Sequence, residues 1–356
     1  MKSRLAGALL ALCLCMIAAR PAFADSLVQD DYFRHPGEEM QRTEFWTSVL
    51  RSDDGWTLYL SYLVTNLGIG SGNTGYAVSL TSPGGKVYRT KGRYPDTTFS
   101  EDHATGVIRV GPHRLRLRHP DFQFVIDDPE KDVSLDLHLK AWSEGYKFGD
   151  GHRMVSKKYD YFVDYFFLVP RADVTGTITV EGKKHEFKGD GYLEHLVTNR
   201  SITQWSRRWH VFFGFDDDMT VHLMLGYPTP NRPELEGRLG YFAVTDKDGV
   251  VFAARRPNLT FRKPKQEVEG CYWPEDLRIE AKTKKGSARV LYHSTKLHDA
   301  YVALSQLAWP LRDVVARIVG NPIFLRFHNN FDLELEIDGK IRKVQGKGLH
   351  QIICLD

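Results

Sequence analysis

Short runs in which apolar and polar residues alternate recur about every 8 to 12 residues along this chain. Successive side chains of a strand point to opposite faces, so a period of two marks strands with one dry and one wet side. Trp56 to Tyr62, Gly75 to Leu80, Leu135 to Ala141, Val221 to Leu225 and Leu333 to Ile337 all read this way. Turn chemistry separates them at Asp53-Asp54-Gly55, Pro83-Gly84-Gly85, Asp246-Lys247-Asp248-Gly249 and Asp338-Gly339. The expected fold class is therefore all-β and mainly antiparallel. About 330 residues remain after the N-terminal leader described below, which is too many for one small barrel and suits two domains.

The most informative stretch runs from Pro170 to Trp209. Val174, Gly176, Ile178 and Val180 share one face of a predicted strand, with Thr175, Thr177 and Thr179 on the other. Glu181-Gly182-Lys183 closes a turn, and Glu194, His195, Trp205 and Trp209 follow. An acid, an imidazole and two indoles near strands suit an apolar ligand cavity with a few polar groups.

This stretch resembles the double-lipocalin-like family that includes carotenoid hydratases, AttH-type bacterial proteins and fungal survival-factor proteins. Gly189, Tyr192, Glu194, His195 and Trp209 occupy the family's central motif. The survival-factor branch is the most similar. Its resemblance extends to Thr43-Glu44-Phe45-Trp46, to Asp53-Asp54-Gly55-Trp56, to Gly145 through Gly151 with Phe167 through Arg171, and to Asp313 through Phe327. The resemblance implies two lipocalin-like barrels, residues 25–168 and 169–356, with one C-terminal helical insertion. It also implies a long apolar ligand such as a carotenoid, a polyketide-like chain or a ceramide, and no cofactor. Tyr192, Glu194, His195, Trp205 and Trp209 are the expected ligand-binding residues. Asn199 stands where the hydratases have Trp-Gly, which weighs against hydratase chemistry.

Glu194 and His195 carry two readings. As an acid–base pair they would protonate an alkene and deliver water. As structural residues, the imidazole would be a hydrogen-bonded core group with Glu194 or a backbone carbonyl as partner. On a strand only one of the two can enter a barrel.

Residues 1–24 read as a bacterial secretory signal. Lys2 and Arg4 precede the apolar run Leu5 to Ala19, and Ala22-Phe23-Ala24 is a cleavage site. The run is short of the roughly 20 residues a spanning helix needs. Export to the periplasm is expected. Without Lys2, Arg4 and Arg20 the charge balance is 45 basic against 45 acidic residues, so nothing favours a nucleic acid as partner. Cys271 and Cys354 then remain, either as the single possible disulfide or as two buried thiols. The histidines are scattered without metal-ligand spacing, and no metal is expected. Leu67 to Gly72 reads as a glycine-rich loop at a cavity mouth.

Residues 295–319 break the β pattern. Leu297, Tyr301, Leu304, Ala308, Leu311, Val315 and Ile318 are spaced by threes and fours, as on a helix, with Pro310 as a kink. Leu307 and Trp309 add apolar surface on the other side. Such a helix packs on a barrel, covers a cavity mouth or touches a membrane. Leu304, Leu307, Trp309 and Leu311 are the expected gate or membrane-contact residues.

Overall fold

The computed structural model describes residues 24–35, 37, 42–65, 73–128, 133–229, 235, 239–305 and 308–355. The expected leader up to residue 23 and the Leu67–Gly72 loop lie outside them. Nearly everything described is antiparallel β.

The first sheet contains β1 (Asp25–Ser26), β2 (Thr43–Ser52), β3 (Thr57–Thr65), β4 (Asn73–Thr81), β5 (Val87–Pro95), β6 (Phe99–Asp102), β7 (Val107–Val110), β8 (His113–Arg118), β9 (Asp121–Ile126), β10 (Val133–Ala141), β11 (Tyr146–Ser156), β12 (Tyr161–Val180) and β13 (Lys183–Thr198). Its order is β5-β4-β3-β2-β13-β12-β10-β9-β8-β7-β6, with β1 and β11 attached beside the start of β12. The second sheet contains β14 (Ser206–Phe215), β15 (Thr220–Pro228), β16 (Leu239–Asp246), β17 (Gly249–Arg255), β18 (Asn258–Val268), β19 (Cys271–Thr283), β20 (Gly286–Val302), β21 (Ile323–Ile337) and β22 (Lys340–Cys354). Its order is β17-β16-β15-β14-β22-β21-β20-β19-β18. Each sheet curls around its own apolar core.

Turn chemistry closes the hairpins as the sequence suggested. Glu181 and Gly182 between β12 and β13 both have positive φ, 50° and 74°. Asp338 and Gly339 between β21 and β22 repeat the arrangement at 48° and 77°. Two central residues with positive φ match the twist of the flanking strands.

Strand patterning depends on what covers each face. On β10, Val133, Leu135, Leu137 and Leu139 fill the first core, while Asp136, His138 and Lys140 face outward. On β3 both faces are largely apolar. Leu58, Leu60 and Tyr62 enter the first core, and Tyr59 joins a second cluster shared with the other barrel. That shared cluster also holds Val49, Phe167, Tyr192, Trp209, Phe213 and Leu349. Fully burying one such side chain is worth roughly 1.5–3 kcal/mol. The seam therefore binds the two barrels into one body.

Two expectations need correction. The change of sheet falls between Thr198 and Ser206, not at residue 168. β12 runs unbroken through that position because its first half pairs β11 and its second half pairs β10. The segment 295–319 is mostly not helical: β20 continues to Val302, and only α1 (Leu311–Val319) is an α-helix. The pairing of β20 with β21 slips between Ser294 and Lys296 and again between Leu297 and Asp299. Each slip shifts the phase of the alternation.

Cys271 and Cys354 form a disulfide with their Cα atoms 5.8 Å apart. It ties the end of β22 to the start of β19, across 83 residues.

Candidate functional site

The faces left over once both barrel cores are filled meet each other. β2 sends Trp46 and Leu50 into the first barrel and Phe45, Thr47 and Val49 outward. β14 sends Phe212 into the second barrel and Trp209, Val211 and Phe213 outward. Between these outward rows lies a cavity of about 220 Å³. Its walls are mostly apolar, with Glu194, Thr47, Ser61, Tyr59, Tyr165, Arg326 and Gln351 as the main polar members.

Strand register grades the cavity from end to end. In the first barrel, Leu196 lies opposite Phe45, Glu194 opposite Thr47, and Tyr192 opposite Val49. Thr47 in turn pairs Ser61, and Val49 pairs Tyr59. In the second barrel, Trp209 lies opposite Ile353, Val211 opposite Gln351, and Phe213 opposite Leu349. Ile353 pairs Phe324, and Gln351 pairs Arg326. The two halves meet where Tyr192 stacks on Phe213 at 3.3 Å between centroids and Arg326 lies 4.1 Å over the ring of Tyr59. That end and the Glu194 row carry the polar groups. The opposite end is apolar, formed by Phe45, Leu196, Ile202, Phe324, Ile353 and Leu355.

Glu194 is the chemical centre of the cavity. It lies well inside the protein yet keeps part of its surface on the cavity. Burial pushes its carboxyl up to about 7, against a weaker downward pull from the Tyr165 hydroxyl that donates to Oε2. Burial likewise holds the Tyr165 phenol well above its usual range, so it remains a donor. Thr47 and Ser61 share a hydroxyl–hydroxyl bond of 3.0 Å. Among the described residues, the Tyr59 hydroxyl and the Trp209 Nε1–H are buried without a hydrogen-bond partner. Arg326 is already engaged: it donates to Asp299 and, from Nε, to Gln351 at 3.1 Å. Burial alone would raise the Asp299 carboxyl, but Arg326 and Arg89 beside it hold it below its usual value.

His195 is not in this cavity. Alternation along β13 sends it into the first barrel, where its ring lies on Trp46 at 4.6 Å between centroids. Nδ1 lies 2.7 Å from the Asp31 carbonyl and must donate, because a carbonyl oxygen only accepts. Nε2 lies 2.8 Å from Glu44 Oε1. Of the expected ligand-binding set, Tyr192, Glu194 and Trp209 line the cavity. His195 faces away, and Trp205 stands behind Trp209 with ring centroids 5.3 Å apart. The sequence reading missed Tyr59, Thr47, Ser61, Tyr165 and Arg326. The available signal was apolarity on both faces of TEFWTSVL and LYLSYLVT, which marks strands covered on both sides.

Of the expected gate residues, Trp309 is 79% and Leu311 54% exposed, and Leu304 is half-buried. Leu307 lies outside the described residues. α1 is short, and no described helix is long and apolar enough to cross a membrane. Its end adjoins the apolar end of the cavity. Gly320 caps it at φ 78° and packs so closely that an added Cβ would collide with the Leu355 carbonyl oxygen.

Similar folds and sequences are known. The chain is 12% identical to CghA in complex with Sch210972, with a TM-score of 0.66 over 89% of each chain. It is 12% identical to a putative AttH from Nitrosomonas europaea, with a TM-score of 0.66 over 93% of this chain and 98% of that one. These likenesses establish the double-barrel fold. In sequence it is 25% identical over 246 residues to the ceramide-binding protein SVF1 of Yarrowia lipolytica, covering 63% of this chain and 60% of that protein. It is 29% identical over 121 residues to the ceramide-binding protein svf1 of Emericella nidulans, covering 33% and 31%. The chain thus aligns with less than two thirds of the length of either relative. The Svf1 family model matches residues 97–352, well over half of the chain, and the protein belongs to the Svf1 family.

Proposed function

We propose that this protein binds and transfers a long-chain lipid of the ceramide type, held in the cavity between the barrels. The observation that carries this reading is the apolar inter-barrel cavity itself. Each buried methylene contributes roughly 0.8 kcal/mol, so an alkyl chain needs few polar contacts to bind. At about 220 Å³ the cavity is smaller than the roughly 300–1,000 Å³ of sites that engulf a drug-sized ligand. It would shelter part of a lipid, or widen around it. The names of the two fungal relatives supply the ceramide class.

Export to the periplasm is part of the same reading. The leader pattern supports it, as does a disulfide of the kind that persists in oxidising compartments. α1 would touch the bilayer through Trp309, Leu311 and Val314, which are exposed. Tryptophan favours the membrane interface, where its ring is apolar and its N–H stays wet.

A second reading, an acid-catalysed hydratase, isomerase or cyclase on an isoprenoid or polyene, is favoured by one observation. Glu194 is a carboxyl group near neutrality in an apolar cavity, as a general acid must be. His195 could not assist it, because it lies on the other face of the strand.

Native mass spectrometry of the protein purified from its own periplasm, paired with a liposome transfer assay, tests both. A co-purifying lipid that the protein moves between vesicles supports the carrier. A chemically altered polyene without lipid transfer replaces it with the enzyme.

A further inference from the structure

The cavity is polar at one end and apolar at the other, and its apolar end lies against α1. The geometry points to a lipid held polar end inward: an uncharged hydroxyl- or amide-bearing end against Glu194, Thr47, Ser61 and Tyr59, and an alkyl chain running past Leu196, Ile202 and Leu355 toward α1. This rests on the lipid-binding reading and adds an orientation and a polar subsite to it.

Four observations support the orientation. The row Glu194–Thr47–Ser61 and the next row, with Tyr59, stand on adjoining strands in register. A buried phenol left without a partner costs free energy, and a ligand carbonyl or hydroxyl would satisfy Tyr59. The far rows, Leu196 with Phe45 and Ile353 with Phe324, offer an alkyl chain only apolar contacts. Gly320 then brings the C-terminal end of α1 onto Leu355, so the chain would leave the cavity at that end of the helix.

The charges around the cavity narrow the polar end to an uncharged one. The cation lining the cavity, Arg326, is paired with Asp299 and bonded to Gln351. A carboxylate or phosphate brought to this end would lose water, face Glu194, and find Arg326, the cation among the described lining residues, already engaged. Hydroxyl and amide groups can both donate and accept, as Glu194, Thr47, Ser61 and Tyr59 can.

Equilibrium binding of three probes to the full chain tests the orientation. The probes are unlabelled ceramide, ceramide with a bulky fluorophore on its headgroup hydroxyl, and ceramide with the same fluorophore at the tip of its acyl chain. The expected result is that the tip-labelled lipid binds within about threefold of the unlabelled one, while the headgroup-labelled lipid binds at least about tenfold more weakly. Thr47→Val combined with Ser61→Ala removes both partners of a partly buried hydroxyl pair, which costs little stability. That variant should keep its thermal midpoint and lose affinity for unlabelled ceramide. Equal binding of the headgroup-labelled lipid, or a double variant with unchanged affinity, overturns the orientation while leaving lipid binding intact. If unlabelled ceramide does not bind at all, the lipid-binding reading fails and the orientation fails with it.

Discussion

Glu194 and His195 are chain neighbours whose side chains face different spaces, the inter-barrel cavity and the interior of the first barrel. The carboxyl of Glu194 faces the seam between the barrels, where the Tyr165 hydroxyl donates to it. The imidazole of His195 lies on Trp46 inside the first barrel, bonded to the Asp31 carbonyl and facing Glu44. Adjacency in a motif therefore does not make a catalytic dyad when the motif is a strand. The two residues should answer mutation in different ways.

Glu194→Gln should alter the dependence of stability on pH. The folded carboxyl is raised to about 7 from an unfolded value of 4.5. The unfolded state therefore releases this proton first, and stability falls as pH rises from 4.5 to about 7, then levels off. The shift corresponds to a loss on the order of 3 kcal/mol. In urea unfolding, the change in stability from pH 5 to pH 8 should be more positive in the variant than in the parent by about 3 kcal/mol, because the buried histidines contribute equally to both. An unchanged difference would mean that Glu194 is not held neutral.

His195→Ala should destabilise the fold without a specific effect on the ligand. It leaves Glu44 and the Asp31 carbonyl without their buried partner and opens space beside Trp46. A loss of roughly 3 kcal/mol or more is expected in chemical denaturation. Lipid bound per folded molecule should hardly change. A stable variant that no longer binds lipid would return His195 to the site.

Acid should weaken the protein through its buried histidines. Burial lowers His222, His298 and His350 to about 3, and in His298 the neighbouring His328 and Arg326 add to the effect. His210 is lowered as well, by burial and by His350. The unfolded chain takes up these protons near 6.5 and the folded one does not. Stability is therefore lost as pH falls from about 6.5 toward 3, by about 1.4 kcal/mol per pH unit for each group. Melting curves between pH 7 and pH 4 measure the slope, and a flat profile contradicts it.

Opening the Cys271–Cys354 bridge should cost about 2–4 kcal/mol, since it closes a long loop. Cys271→Ser with Cys354→Ser should unfold at lower denaturant. In the parent, added reductant should produce the same shift, and in the variant it should do nothing. Equal midpoints with and without reductant would show that the bridge does not form in solution.

Replacing Trp309, Leu311 and Val314 together with serine should leave the melting temperature nearly unchanged, because all three side chains are more than half exposed. Sedimentation with liposomes and lipid transfer should both decline. If the triple variant unfolds, the segment is core and the membrane role is lost. Intact transfer with normal folding would equally remove α1 from the mechanism.

What the chain alone determined is its local geometry. A period of two selects strands, and the Glu181-Gly182 and Asp338-Gly339 pairs select tight hairpin turns; both follow from neighbours within a few residues. The motif around Gly189, Tyr192 and Glu194 was legible for the same reason, and so was its two-faced nature. Which face of β13 lines the cavity depended on contacts no local pattern encodes. It was fixed when Tyr192 came to stack on Phe213, a residue of the other barrel. Of the helix expected over 295–319, only the part from Leu311 to Val319 is helical. Up to Val302 the stretch is held as a strand by pairing with β21, which begins only at Ile323. The cavity is the extreme case: its lining stretches from Phe45 to Leu355, and only the packing of two finished barrels brings those residues onto one surface.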